Sequence, residues 1–233
     1  MALPKIDLPL MECKQPSTNE KVKYRPFTVK EEKILLVAQE ADDPGSEILA
    51  MKQIVGNCFM DIDIEDIPMY DLEYFLMILR SVSVDNLILF LVTDPDTEES
   101  VELKMNLDEI KLSEDPDHTN EIKLNDTYTL FLKSPRIDAF VEIANMDASD
   151  QLTSYYIMTS CLEYVASEDE VEYFKDYSPE ETEDFMGGLS GQVLEKVVKF
   201  FETMPKLRHE IKYKNKEGKE QTFVVEGARS FFI

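Results

Sequence analysis

The stretch from Lys21 to Glu40 constrains the fold most, because it places a strand, a turn and a capped helix within twenty residues. Val22 and Tyr24 alternate with charged neighbours, which is the pattern of a half-buried strand. A proline ends the strand, and Thr28 followed by Glu31 fits a capping box, in which a hydroxyl and a carboxylate each accept a backbone N–H. Apolar residues then recur at helical spacing, at Ile34, Val37, Ala38 and Ala41. This stretch predicts a strand-to-helix corner.

The rest of the chain changes its hydrophobic period, which predicts an α+β fold. Residues 21–85 lead from the first strand into helices, and residues 86–133 hold a short continuous apolar run at 87–92 followed by segments that alternate apolar and polar side chains, which predicts an antiparallel β-meander. Residues 134–205 return to helical spacing, and residues 206–233 predict a β-hairpin followed by an aromatic tail. The expected architecture is two helical halves around a central antiparallel β-meander, with a C-terminal β-hairpin.

Local signals place three further segments. Residues 1–20 contain three prolines among scattered apolar residues, which predicts an extended N-terminal arm on the surface of this chain or of a partner. Ser178, Pro179 and Glu181 supply the cap, the N1 proline and the box glutamate of a helix start. Another helix is predicted from about Ser149 onward by a single apolar face. The members of that face are Tyr155, Met158, Leu162 and Val165.

The charge of the chain argues against general nucleic-acid binding. The net charge of −24 would repel a phosphate backbone. The charges are also segregated, because residues 206–219 hold six basic and two acidic residues, whereas residues 163–184 hold one lysine and ten acidic residues. One interpretation is a solvated acidic surface, and the other is a polar molecule whose basic end meets an acidic neighbour.

No metal site, cofactor or membrane span is predicted. The three cysteines lack C-x-x-C spacing, so reduced thiols are expected rather than zinc or disulfides. Acidic runs beginning at Asp61 and Asp94 lack the glycine and glutamate that a calcium loop needs at its sixth and twelfth positions, which predicts solvated loops. No window approaches the ~20 apolar residues of a membrane-spanning helix.

Few residues are suited to catalysis. His118 and His209 are the two histidines, and the acidic loop around His118 is expected to be exposed. Ser190 follows a glycine as in a nucleophile elbow, but Gln192 stands where the second glycine belongs, and the serine precedes an apolar helix as a cap would. We therefore expect a protein that is not an enzyme. An uncharacterised hydrolase remains an alternative.

Four segments, in order along the chain, resemble one protein family. They are KVKYRPFTVKEEKILL from Lys21, IPMYDLEYFLMILRSVSV from Ile67, VKFFETMPKLRH from Val198 and VEGARSFF from Val225. These segments are similar to the baseplate hub subunit, or hub assembly protein, of T-even-type contractile-tail bacteriophages. The resemblance spans nearly the whole chain.

The resemblance implies a non-enzymatic tail protein that acts in assembly of the baseplate central hub, as a hub component or as an assembly chaperone. Its expected partners are other hub proteins, with self-association as a further hypothesis. Its expected location is the virion tail baseplate, the cytoplasm of the infected bacterium, or both. The alternative is an acidic adaptor of the host cell.

Eight residues are candidates for partner binding, because aromatic and arginine side chains are typical of interface hot spots and the lysines of a basic cluster can orient a negatively charged partner. They are Tyr24, Arg25, Phe27, Lys212, Lys214, Arg229, Phe231 and Phe232. The alternative for Tyr24 and Phe27 is to anchor the corner to the core. The alternative for Phe231 and Phe232 is to plug the core of this same chain.

Overall fold

The computed structural model describes residues 8–41, 43–113, 115–146 and 150–227, and within them the protein is a mixed α+β fold. The helices are α1 (Val29–Glu40), α2 (Pro44–Cys58), α3 (Met69–Ser83), α4 (Ile137–Ala144), α5 (Asp150–Ser160), α6 (Pro179–Gly187) and α7 (Gly191–Thr203). The strands are β1 (Met11–Lys14), β2 (Lys21–Tyr24), β3 (Phe59–Met60), β4 (Leu87–Thr93), β5 (Ser100–Asn106), β6 (Lys111–Leu112), β7 (Glu121–Lys123), β8 (Thr129–Leu132), β9 (Leu162–Ala166), β10 (Val171–Tyr173), β11 (Leu207–Lys214) and β12 (Glu220–Glu226). The predicted fold class and the C-terminal hairpin are confirmed.

The predicted corner forms as expected at its start. The capping box is present, with the Thr28 N–H donating to Glu31 Oε2 at 2.8 Å. The predicted apolar face of α1 needs two corrections, because Val37 is exposed and Ala41, also exposed, follows the last residue of the helix, while Ala38 is buried as predicted. The inward face is completed by Ile34 and Leu35, which pack against the core.

Part of the N-terminal arm is a strand of this protein's own sheet. β1 pairs antiparallel with β2, which in turn pairs with β3. Beyond β1, the Gln15 side chain and the Ser17 hydroxyl both donate to the buried carboxylate of Asp71 in α3. The surface on which the arm lies, from Met11 to Ser17, is therefore that of the same chain.

The predicted single meander is corrected by the observed pairing. The strands between residues 86 and 133 divide among three sheets. β4 and β5 form a two-stranded sheet, β6 pairs with β11, and β7–β8 continue into β9–β10. Alternation of side chains predicts that a segment is a strand, but it does not specify which distant strand supplies the backbone partner.

The helix predicted from about Ser149 is shorter than expected. Ser149 itself lies outside the described residues, and α5 ends at Ser160. Leu162 and Val165, predicted to share its apolar face, belong to β9 instead. Their spacing of three fits a helix, but Tyr164 stacks on Phe131 of β8 with ring centroids 4.5 Å apart, a pairing that favours strand geometry.

Three groups of buried side chains hold the described elements together. The first joins β2, α2 and α3, and includes Tyr24, Ile54, Val55, Leu72 and Phe75. The second lies between α3 and the β4–β5 and β11–β12 hairpins, and includes Met77, Ile88, Met105, Leu207 and Val225. The third packs β7–β9 against α6 and α7, and includes Leu130, Leu162, Met186, Val197 and Phe200.

Candidate partner-binding surfaces

The three candidate residues in the corner make contacts within this chain. Tyr24 is 6% exposed and stacks on Phe59 with ring centroids 5.2 Å apart. Phe27 is half-buried and packs against the same core. Arg25 donates to the Glu31 carboxylate at 3.0 Å and to the Asn57 carbonyl at 3.0 Å. These positions support the core alternative for Tyr24, and partner binding by the three residues stays a prediction.

Glu31 is the electrostatic centre of the corner. Burial alone would raise the pKa of this carboxyl, but hydrogen bonds from the Arg25 guanidinium and from the hydroxyl and backbone N–H of Thr28 outweigh burial and lower the pKa to about 2. Glu31 is therefore a buried anion with a dedicated cation. It stabilises the entry of the chain into α1.

The predicted basic cluster of the C-terminal hairpin is largely neutralised inside the molecule. Lys206 and Arg208 lie near Glu226, and the turn lysines contact acids of the β4–β5 turn. Those contacts are Lys216 with Glu99 at 2.7 Å and Lys219 with Asp96 at 2.5 Å.

Lys212 and Lys214 are different. Both are exposed on the outward face of β11, and no ion pair of either is found among the described residues. Three other candidates, Arg229, Phe231 and Phe232, lie outside the described residues.

Asp94 connects the two hairpin turns, so the expectation of a solvated loop is wrong for Asp94 itself, whereas Asp96 and Glu98 are exposed as expected. Its carboxylate is buried and accepts hydrogen bonds from the backbone and hydroxyl of Thr97, from the Tyr213 hydroxyl at 2.9 Å and from the Asn215 amide at 3.4 Å. Burial opposes ionisation, but the Thr97 N–H and the Tyr213 hydroxyl lead the hydrogen bonds that lower the Asp94 pKa to about 2. We call this contact between the β4–β5 and β11–β12 turns the turn junction.

Sequence reasoning missed an exposed row of leucines on β4. Leu87, Leu89 and Leu91 are 45%, 58% and 77% exposed, while Ile88 on the opposite face is buried. We call these three residues the leucine face. The sequence of β5, the strand paired with β4, indicates this exposure. The cross-strand neighbours of Leu89 and Leu91 are Lys104 and Glu102, charged residues that belong on a solvent-facing side.

Sequence reasoning also missed a cavity of about 500 Å³ in the acidic part of the chain. We call it the aromatic cavity. Its apolar wall comes from the β7–β8 turn, β9, the turn after β10, and α6. The residues that define it are Leu124, Tyr128, Val165, Phe174, Tyr177 and Phe185. The sequence signal for it is the set of aromatic residues within the acidic segment 163–184.

The residues considered for chemistry are used structurally. Ser190 caps α7 by accepting the Val193 N–H. His118 is half-buried against Phe200, contrary to the expected exposed loop, with Nδ1 3.0 Å from the Thr203 hydroxyl. Burial lowers the pKa of His118. Burial also raises the pKa of Cys13 and Cys161 to about 12, which leaves little thiolate at neutral pH.

The described residues offer neither a metal-binding cluster nor a membrane-spanning helix. No cluster of three or more His, Cys, Asp or Glu side chains is placed to hold a metal ion in that part of the chain. None of the helices described has the length and apolar character needed to cross a membrane.

Comparison with known protein families finds a match over nearly the whole chain. The family model described as T4 bacteriophage base plate protein matches residues 9–233, nearly the whole chain. A search of curated proteins and a search of solved structures each found no match.

Proposed function

Because the chain belongs to the T4 bacteriophage base plate protein family, we propose that it acts in assembly of the baseplate central hub, as a hub component or an assembly chaperone. It works through non-enzymatic contacts with other hub proteins, at the tail baseplate. The four sequence segments that resemble hub proteins support the hub over other parts of the baseplate. Membership of this family argues against a host-cell adaptor.

The leucine face is the observation that carries this proposal. A row of exposed leucines is unfavourable in water, since each buried methylene is worth about 0.8 kcal/mol. β4 also has a free edge, because no strand among the described residues pairs with it on the side away from β5. An edge strand with alternating apolar side chains is suited to receive an extended segment of a partner. The occupant is a strand of a neighbouring hub protein.

The test replaces two leucines that the fold does not need. Leu89→Lys with Leu91→Lys should leave the melting temperature unchanged, because both side chains are exposed, and should abolish co-sedimentation with hub complexes from infected cells. The matched control is Leu36→Lys with Leu152→Lys, at two exposed leucines of α1 and α5. Undiminished co-sedimentation of the double variant would refute the leucine face as the contact.

A second measurement separates the two forms of the proposal. Mature tails are purified, dissociated and probed for the protein by quantitative mass spectrometry. A fixed ratio to other hub proteins identifies a component of the hub. Presence in assembly intermediates and absence from finished tails identifies a chaperone.

The C-terminal hairpin is a further proposed contact. Lys212 and Lys214 are exposed and form no ion pair among the described residues, so they can orient an acidic partner and speed encounter. Lys212→Glu with Lys214→Glu should slow association and weaken its dependence on salt. The control is Lys30→Glu with Lys33→Glu on α1, which changes the net charge equally. Equal slowing by both pairs would show an effect of net charge alone.

The tail that follows the hairpin is tested by deleting residues 228–233, which include Arg229, Phe231 and Phe232. The docking proposal expects loss of hub association at unchanged thermal stability. A large fall in melting temperature would instead assign the two phenylalanines to this protein's own core.

A further inference from the structure

We propose that the aromatic cavity binds a basic segment of another protein, with one aromatic or large aliphatic side chain seated in the cavity and lysine or arginine residues on either side. This surface is separate from the leucine face and the hairpin. The inference does not depend on the hub assignment.

The cavity has the form of a side-chain receptor. Phe174 and Phe185 meet edge to face with ring centroids 5.0 Å apart, and both rings are half-buried. Tyr128 and Tyr177 stand exposed at its margin. A volume of about 500 Å³ exceeds what one bound water needs and falls in the range of roughly 300–1,000 Å³ typical of ligand pockets. Its apolar wall favours an apolar group.

The acidic residues around the cavity favour basic residues next to the apolar side chain that the cavity binds. Residues 163–184 hold ten acids, and none of these acids forms an ion pair with a described lysine or arginine. The one lysine of this segment, Lys175, lies 5.2 Å from the Tyr173 ring centroid. Lys123, on β7 at the far edge of the same sheet, is engaged by Asp126 at 3.3 Å. Glu163 interacts with the charge of Lys133, and the other acids of the segment are left for external cations.

Two carboxylates at the cavity itself are held in place by uncharged donors. Glu172 accepts the Tyr177 hydroxyl at 2.8 Å. Glu181 accepts the Ser178 N–H at 2.8 Å as part of the capping box of α6, and this backbone hydrogen bond is the main cause of its lowered pKa. Both lie on the cavity wall. They present fixed negative charge without a countercharge, which attracts a cation and repels nucleic acid.

The distribution of the acids favours a polypeptide as the occupant. The cavity wall carries acids from two elements, Glu172 of β10 and Glu181 of α6, and further acids follow in the β9–β10 turn (Glu168 to Glu170) and along α6 (Glu180 to Asp184). A chain that crosses the cavity can place a cation near each element while its central side chain fills the apolar volume. An isolated small cation would leave the apolar volume empty.

The experiment uses the full chain, labelled with ¹⁵N, and the peptide probe acetyl-Lys-Lys-Phe-Lys-Lys-amide. Saturable shifts of the Tyr128, Phe174 and Phe185 amides are expected. The same peptide with alanine for phenylalanine should bind roughly tenfold more weakly, and the version with glutamate for lysine should not bind. Equal binding of the alanine peptide, or shifts located elsewhere, would overturn the proposal.

Paired variants separate local from overall charge. Glu172→Lys should weaken binding of the phenylalanine peptide by roughly tenfold, whereas Glu102→Lys on β5 makes the same charge change away from the cavity and should leave it unaltered. Equal weakening by both variants would reduce the effect to net charge and overturn the proposal.

The alternative occupant of the aromatic cavity is the hairpin of a second copy of this chain. Amide shifts that depend on protein concentration, without peptide, at both the cavity and Lys212 would identify the hairpin of a second copy as the occupant and overturn the assignment to another protein. Concentration-independent spectra are expected. None of these results alters the outcome of the co-sedimentation test of the leucine face.

Discussion

The corner and the turn junction use similar ion pairs in different surroundings. In the corner, Arg25 meets Glu31 at 3.0 Å, and the Glu31 side chain is 4% exposed. At the turn junction, Lys216 and Lys219 meet acids at 2.7 and 2.5 Å, but the lysine side chains are 74% and 62% exposed. Water screens the exposed pairs of the turn junction, and their charged groups are readily hydrated again when a pair is broken. A buried carboxylate that loses its partner is left as an uncompensated charge, because water cannot replace that partner. Distance alone therefore misjudges which contacts stabilise this fold.

The largest expected effect is in the corner. Tyr24→Ala should lower the free energy of unfolding by about 3–5 kcal/mol, because it empties a buried site against Phe59. Urea denaturation followed by circular dichroism measures the loss. Tyr128→Ala, at an exposed tyrosine, is the matched control and should cost less than about 1 kcal/mol. Equal losses of unfolding free energy in the two variants would contradict the assignment of Tyr24 to the core.

The next effect tests the buried ion pair through pH. The Glu31 pKa is lowered from 4.5 to about 2, so its stabilisation is complete above about pH 4.5 and is lost as pH falls towards 2. Glu31→Gln should cost about 2–3 kcal/mol at neutral pH, and the difference from wild type should shrink through that window.

Glu32→Gln is the control for this pH test, because Glu32 is an exposed neighbour on the same helix. It should show neither the loss at neutral pH nor the convergence in acid. A Glu31→Gln difference that stays constant from neutral pH to pH 2 would contradict the ion-pair account.

The corner and the turn junction also differ in how far their contacts can be predicted from the sequence. The corner's partners are close in sequence, since Thr28 and Glu31 are three residues apart and Arg25 and Glu31 are six, so spacing predicts the box and brings the arginine near. At the turn junction, 119 residues separate Asp94 from Tyr213. Both hairpins were predicted, but their meeting depends on packing around the second core group.

The surfaces were harder to predict than the elements that carry them. An apolar run such as Leu87–Val92 indicates a strand whether one face or both faces are buried, so the leucine face was not distinguished from core. The aromatic cavity needs four segments to converge, and the sequence pattern predicts neither β9 as a strand nor the turn after β10. Local patterns carry no information about such convergence.

A smaller and more local effect is expected at the turn junction. Asp94→Asn keeps the size of the side chain, but its amide group faces hydrogen-bond donors such as the Thr97 N–H and the Tyr213 hydroxyl. Amide hydrogen exchange should accelerate in both turns, at Thr97 and Gly218, while exchange in α3 stays slow. Unchanged exchange at Gly218 would show that the two turns are not coupled through Asp94.

The smallest effect belongs to the exposed pairs of the turn junction. Lys216→Gln with Lys219→Gln should leave the melting temperature within experimental error of wild type, because these contacts exchange readily for water. Salt makes the comparison sharper. At roughly 1 M salt the screening length falls to about 3 Å, so any residual effect of the lysine variants should vanish, whereas the cost of Glu31→Gln should persist because the Arg25–Glu31 pair is shielded from ions. If salt removed both effects equally, burial would not be what distinguishes the corner from the turn junction.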